Sequence, residues 1–94
     1  MKIALMQVEL LIPDSHSLKD KRMVLRSIKA KIRNKFNVSI AEIDGHDLWN
    51  NTLLAIVLVG TDKKYVDQVL DEAIKYIEQF HPVELVDYMI EILA

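Results

Sequence analysis

Four strand-like segments and two amphipathic helical segments, in the order β-α-β-β-α-β, predict an α+β sandwich. Its sheet is four-stranded and antiparallel, with both helices on one face. Three observations carry the prediction. The first segment alternates with period two, two later segments place apolar residues at helical spacing, and Thr52–Val59 is apolar on both faces.

The elements follow in order. Lys2 to Ile12 reads as a strand with Ala4, Met6, Val8, Leu10 and Ile12 on one face and Ile3, Leu5, Gln7, Glu9 and Leu11 on the other. Pro13 and Asp14 end it. A helix is predicted from Leu18 to Lys35, its apolar side made by Leu18, Leu25, Ile28, Ile32 and Phe36. Asn37 to Ile43 reads as the second strand. In the turn-rich connection "DGHDLWNN", Asp44-Gly45 makes a turn, Asp47 caps a short helical turn and Trp49 packs as an anchor. Thr52–Val59 belongs at the centre of a sheet. Gly60 and Thr61-Asp62 then lead into a helix running to about Phe80. Val66, Val69, Leu70, Ala73, Ile74 and Ile77 are its buried stripe, and Asp67, Asp71, Glu72 and Glu78 face outward. Pro82 stops it, and Val83 to Leu93 is the last strand. Right-handed crossovers place the first and third strands centrally, which is the ferredoxin-like arrangement.

The 94 residues contain no linker or low-complexity tract, so residues 1–94 are expected to form a single domain. The absence of Cys excludes a disulfide framework, a thiolate zinc site and a cysteine nucleophile, and fits a reducing cytoplasm. In the start "MKIALMQVELLIPDS", Gln7 and Glu9 interrupt the apolar run and no A-x-A-like cleavage site follows, so a strand is expected rather than a signal peptide. "TLLAIVLVG" is too short for a membrane-spanning helix, and no membrane association is expected.

Net charge is −2, but the charges are segregated. Between Ser15 and Phe36 lie eight cations (Lys19, Lys21, Arg22, Arg26, Lys29, Lys31, Arg33 and Lys35) against one acid, Asp20. Lys19, Arg22, Arg26, Lys29 and Arg33 step by 3, 4, 3 and 4, which lines them along one side of the helix. Lys31 and Lys35 fall on the opposite flank of the apolar face. Such a stripe suits a phosphate backbone or an acidic protein surface; a solvated face pairing with the acids of the second helix is the simplest alternative.

The stretch "DSHSLKD" opens this helix. Ser17 followed by Asp20 resembles a capping box, and Ser15 or Asp14 can share the capping. Ser15, His16 and Ser17 are also a candidate anion site, because free N–H groups at a helix start attract phosphate or carboxylate. The glycines of a phosphate-binding loop are missing, and Ser15-His16 lacks an orienting acid or oxyanion loop. No catalytic residue, cofactor or metal site is expected. Asp44, His46 and Asp47 do not show a recognisable ligand spacing, and His81 has only a helix-end position to recommend it. The central strands carry no aromatic on which to stack bases. The sheet face away from the helices is instead apolar, with Ala55, Val57 and Val59 or their alternates exposed, which suggests a homodimer formed through that face.

The segment "SHSLKDKRMVLRSIKAKIRNKFNVSIAEID" followed by "DLW" resembles the YlxP-like family of small bacterial proteins, over nearly the whole chain. The resemblance implies a ferredoxin-like fold. Family members are often encoded near transcription-elongation, translation-initiation and ribosome-maturation genes, which implies an association with RNA or the ribosome. It supplies no catalytic residues. The expected function is therefore that of a non-enzymatic accessory protein. It would bind structured RNA or a ribosomal particle through Lys19, Arg22, Arg26, Lys29 and Arg33. The alternative is a protein-interaction module that docks an acidic partner or self-associates through the sheet.

Overall fold

The computed structural model describes residues 1–94. Its elements are β1 (Lys2–Leu11), α1 (Leu18–Lys35), β2 (Ser39–Asp44), β3 (Asn51–Gly60), α2 (Lys63–Glu78) and β4 (Glu84–Ile92). The strands form one antiparallel sheet in the order β2-β3-β1-β4, so the ferredoxin-like topology and the central placement of the first and third strands hold. Boundaries differ from those expected by one or two residues.

The alternation in β1 sets the register. Ala4, Met6, Val8 and Leu10 are all buried beneath the helices, and their β3 partners Leu58, Ile56, Leu54 and Thr52 are buried with them. A slip of one residue would exchange these side chains for Gln7 and Glu9, which makes the register costly to change. Leu25, Ile28 and Ile32 of α1 and Val66, Leu70, Ala73, Ile74 and Ile77 of α2 complete the core. Each large aliphatic side chain buried there contributes about 1.5–3 kcal/mol. At their C-terminal halves the antiparallel helices are joined by aromatic contacts. Phe36 meets Tyr76 edge-on at 6.2 Å, while the ammonium groups of Lys31 and Lys35 lie 4.9 Å from the rings of Phe80 and Tyr76.

Two glycines are needed where they stand. Gly45 adopts φ +83 in the β2–β3 turn, a conformation that L side chains rarely take. Gly60 ends β3 where α2 begins, and a Cβ there would lie 2.7 Å from Tyr65 and 2.8 Å from Val66. Tyr65 is exposed and can move, but Val66 is fully buried. Gly60→Ala is therefore expected to destabilise the protein by about 1–3 kcal/mol, the range for an overpacked core site. Urea unfolding checks this, and an unchanged midpoint would contradict the packing.

No helix is long and apolar enough to cross a membrane.

Candidate functional site

The helix start is built as the capping pattern suggests, with one difference. The Ser17 hydroxyl accepts from the Asp20 N–H at 3.1 Å, but the Asp20 carboxylate reaches the N–H of His16 rather than that of Ser17. Ser15 is buried, and its hydroxyl is directed to the carbonyls of Trp49 and Ser17. Of the three residues considered as an anion site, Ser15 and Ser17 thus have structural partners, and only the His16 ring is free in solvent. An anion here would also meet the carboxylate of Asp20.

The main finding at this end of the molecule is Lys21. Leu18, Lys21, Leu25, Ile28 and Ile32 step by 3, 4, 3 and 4, so Lys21 lies in the buried row of α1 and is only 2 % exposed. All three ammonium protons have acceptors: the carbonyl of Gly45, the carbonyl of Leu48 at 2.7 Å and Glu42 Oε2 at 2.8 Å. The same carboxylate accepts from the Thr52 hydroxyl at 2.6 Å. A shift in the β2–β3 pairing between Glu42 and Asp44 accompanies this arrangement, and Glu42, opposite Leu54, sits on the helix side of the sheet. For the Glu42 carboxyl, burial is the largest influence and acts upward. The hydrogen bonds from Lys21 and Thr52, with the charges of Lys21 and His46, outweigh it and hold the group below its ordinary value of about 4.5.

This network fixes the loop "DGHDLW" from behind. Besides the two carbonyls held by Lys21, the carbonyl of Trp49 accepts from Ser15 and that of Asn50 from the Ile12 N–H at 2.8 Å. The turn lies further along than the expected Asp44-Gly45, because Asp44 still belongs to β2. It spans Gly45–Leu48 with His46-Asp47 at its centre, closed by Leu48 N–H to Gly45 C=O at 2.9 Å, and no helical turn follows Asp47. Nor is Trp49 a packed anchor. Its backbone is the anchored part, and its side chain is half exposed at 51 %. His46 lies 3.8 Å from Glu42 on the solvent side, and no group of three His, Asp or Glu side chains is placed to hold a metal.

Lys19, Arg22, Arg26 and Arg33 are exposed and Lys29 half-buried. None is within 4.0 Å of a carboxylate, so the pairing with the acids of α2 considered as the alternative does not occur. The reason is geometric: this side of α1 faces the β2 edge, whereas Lys31 and Lys35 face α2 and pack on its rings. A shallow groove of about 360 Å³ runs between α1 and β2, lined by Arg22, Arg26, Lys29, Arg33 and, at its floor, Glu42. Arg33 also donates to the Ile40 carbonyl at 2.9 Å, which fixes its guanidinium on the sheet edge. A larger hollow of about 610 Å³ lies elsewhere, bordered by Asp14, Glu78, His81 and Glu84, and its charge is of the opposite sign.

The sheet, its two covering helices and the single-sided array of unpaired cations define a small ferredoxin-like α+β protein with a cationic face. The chain belongs to the family described as "Protein of unknown function (DUF503)", whose model matches residues 3–90. It is similar to the "Uncharacterized protein YlxP" of Bacillus subtilis (strain 168), with 37% identity over 82 residues, 87% of this chain and 89% of that relative.

Proposed function

We propose that this is a non-enzymatic accessory protein that docks on structured RNA or a ribonucleoprotein, in the cytoplasm, through the α1 face. The observation that carries this reading is that Lys19, Arg22, Arg26, Lys29 and Arg33 have no carboxylate partner although the chain holds fourteen acids. From Lys19 to Arg33 the row extends about 21 Å at 1.5 Å per residue. Five cations at that spacing match a chain of phosphates, each of which releases a counterion when neutralised. Binding of a structured RNA should then weaken with salt, with a log–log slope of about −3 to −5. A slope near zero in a fluorescence-anisotropy titration would remove the reading. Capture of an acidic protein that survives nuclease treatment would support the interaction-module alternative instead.

The open sheet face supports a second role, self-association. Val59 and Met89 are more than half exposed there, beside partly exposed Ile3, Leu5 and Val57. At standard strand spacings a four-stranded face offers about 600 Å² per copy, so a pair would bury about 1,200 Å², the lower bound for a stable interface. A weak homodimer is expected, and Val59→Asp with Met89→Asp should return it to monomer by sedimentation or light scattering. A wild-type monomer at high concentration would end this reading.

A further inference from the structure

Trp49 is the only tryptophan of the chain, and it stands half exposed on a loop whose backbone is unusually well fixed. Four anchors hold that loop: the carbonyls of Gly45 and Leu48 on Lys21, that of Trp49 on Ser15 and that of Asn50 on Ile12. A rigid backbone carrying a large exposed ring loses little conformational freedom on contact, which is the property of a binding anchor. The loop that carries the ring is held against the N-terminal part of α1, where the cation row begins. Lys21, which grips the loop, directly precedes Arg22, and its partner Glu42 forms the floor of the groove lined by Arg22, Arg26, Lys29 and Arg33.

The loop's own charge determines what can meet the ring. Asp44 and Asp47 are exposed and the loop contributes no Lys or Arg, so phosphates are repelled there while they are attracted along α1. A nucleobase has no such conflict and presents a π-face to the indole. We propose that Trp49 is a stacking platform for an unpaired nucleobase at the N-terminal end of the α1 cation row. The inference rests on the reading of that row as a phosphate contact and adds a preference for RNA that presents an unpaired nucleotide beside its paired stem.

Because Trp49 is unique, its own emission reports the contact. Two RNA hairpins of the same stem, one blunt and one with a short unpaired tail, are titrated while binding is followed separately by anisotropy of a labelled stem. Both are expected to bind, but only the tailed hairpin should quench Trp49 emission. Trp49→Ala should weaken the tailed hairpin roughly 5- to 150-fold, the usual worth of one stacked base, and leave the blunt one unchanged. Trp49→Phe should recover part of the loss. Heparin, a polyanion without bases, should bind without quenching. If both hairpins bind without quenching and Trp49→Ala has no effect, the stacking platform is overturned while the phosphate contact stands. If neither hairpin binds, both are overturned.

Discussion

Lys21→Met is expected to lower the melting temperature by about 15–30 °C, the largest effect on stability among single substitutions at the site. Breaking a buried ion pair by removing one partner costs about 3–5 kcal/mol, and each kcal/mol moves the midpoint of a domain of this size by about 4–8 °C. Met fills the same space, so the loss is electrostatic. Glu42 keeps only the Thr52 hydroxyl and the distant His46, while the carbonyls of Gly45 and Leu48 lose their buried donor. Adding Glu42→Leu should restore part of the loss, because the uncompensated carboxylate is then gone. A single variant melting within a few degrees of wild type would show that the ammonium group does not hold the loop.

The same pair gives wild-type stability an acid limb. The carboxyl of Glu42 binds its proton less readily in the folded protein than in the unfolded chain. Its contribution is therefore present above the ordinary value of about 4.5 and is lost as pH falls through the lower, folded-state value. Without Lys21, burial is the main influence left on the carboxyl and acts in the opposite direction, so this limb should disappear from the pH profile of Lys21→Met.

Reversing Arg22 and Arg26 to Glu is expected to abolish RNA binding, by a hundredfold or more, with the fold intact. Opposed like charges cost several kcal/mol at an interface, and 1.4 kcal/mol is about tenfold in affinity. Loss of two phosphate contacts should also reduce the salt slope by about two. Both side chains are exposed and neither forms an ion pair, so the melting temperature should hardly move. Lys31→Glu with Lys35→Glu is the control, since those cations sit over Phe80 and Tyr76 on the other flank. Equal loss of binding from both pairs would mean that net charge matters and position does not.

The sheet was legible because its signals are local: the period-two pattern of Lys2–Leu11 fixes a face, and the two-sided apolarity of Thr52–Val59 fixes a central place. The stripe along α1 was legible for the same reason, since 3, 4, 3, 4 spacing needs no knowledge of tertiary contacts. Lys21 was not. Residue type assigns a lysine to the surface, yet its position assigns it to the buried row between Leu18 and Leu25, and in this conflict position prevailed. That vacancy in an otherwise apolar row was the available signal. Its partners leave no such mark: two are backbone carbonyls, and Glu42 comes from another element, beside a shift in strand pairing that the sequence does not announce. The exposure of Trp49 was hidden likewise, because a lone aromatic in a short polar loop reads as an anchor until its backbone is seen to be the anchored part.

The strand order also has a kinetic consequence. The unpaired cations of α1 lie over the β2 edge, while Glu84, Asp87 and Glu91 lie on β4, the opposite edge of the same sheet. A body charged in this way experiences a torque near a polyanion. It is turned until the β2 edge leads, and approaches with β4 forward are repelled before contact. If RNA is the partner, as proposed, productive encounters become a larger share of all collisions at low ionic strength, although the protein as a whole carries the same sign of charge as a polyanion.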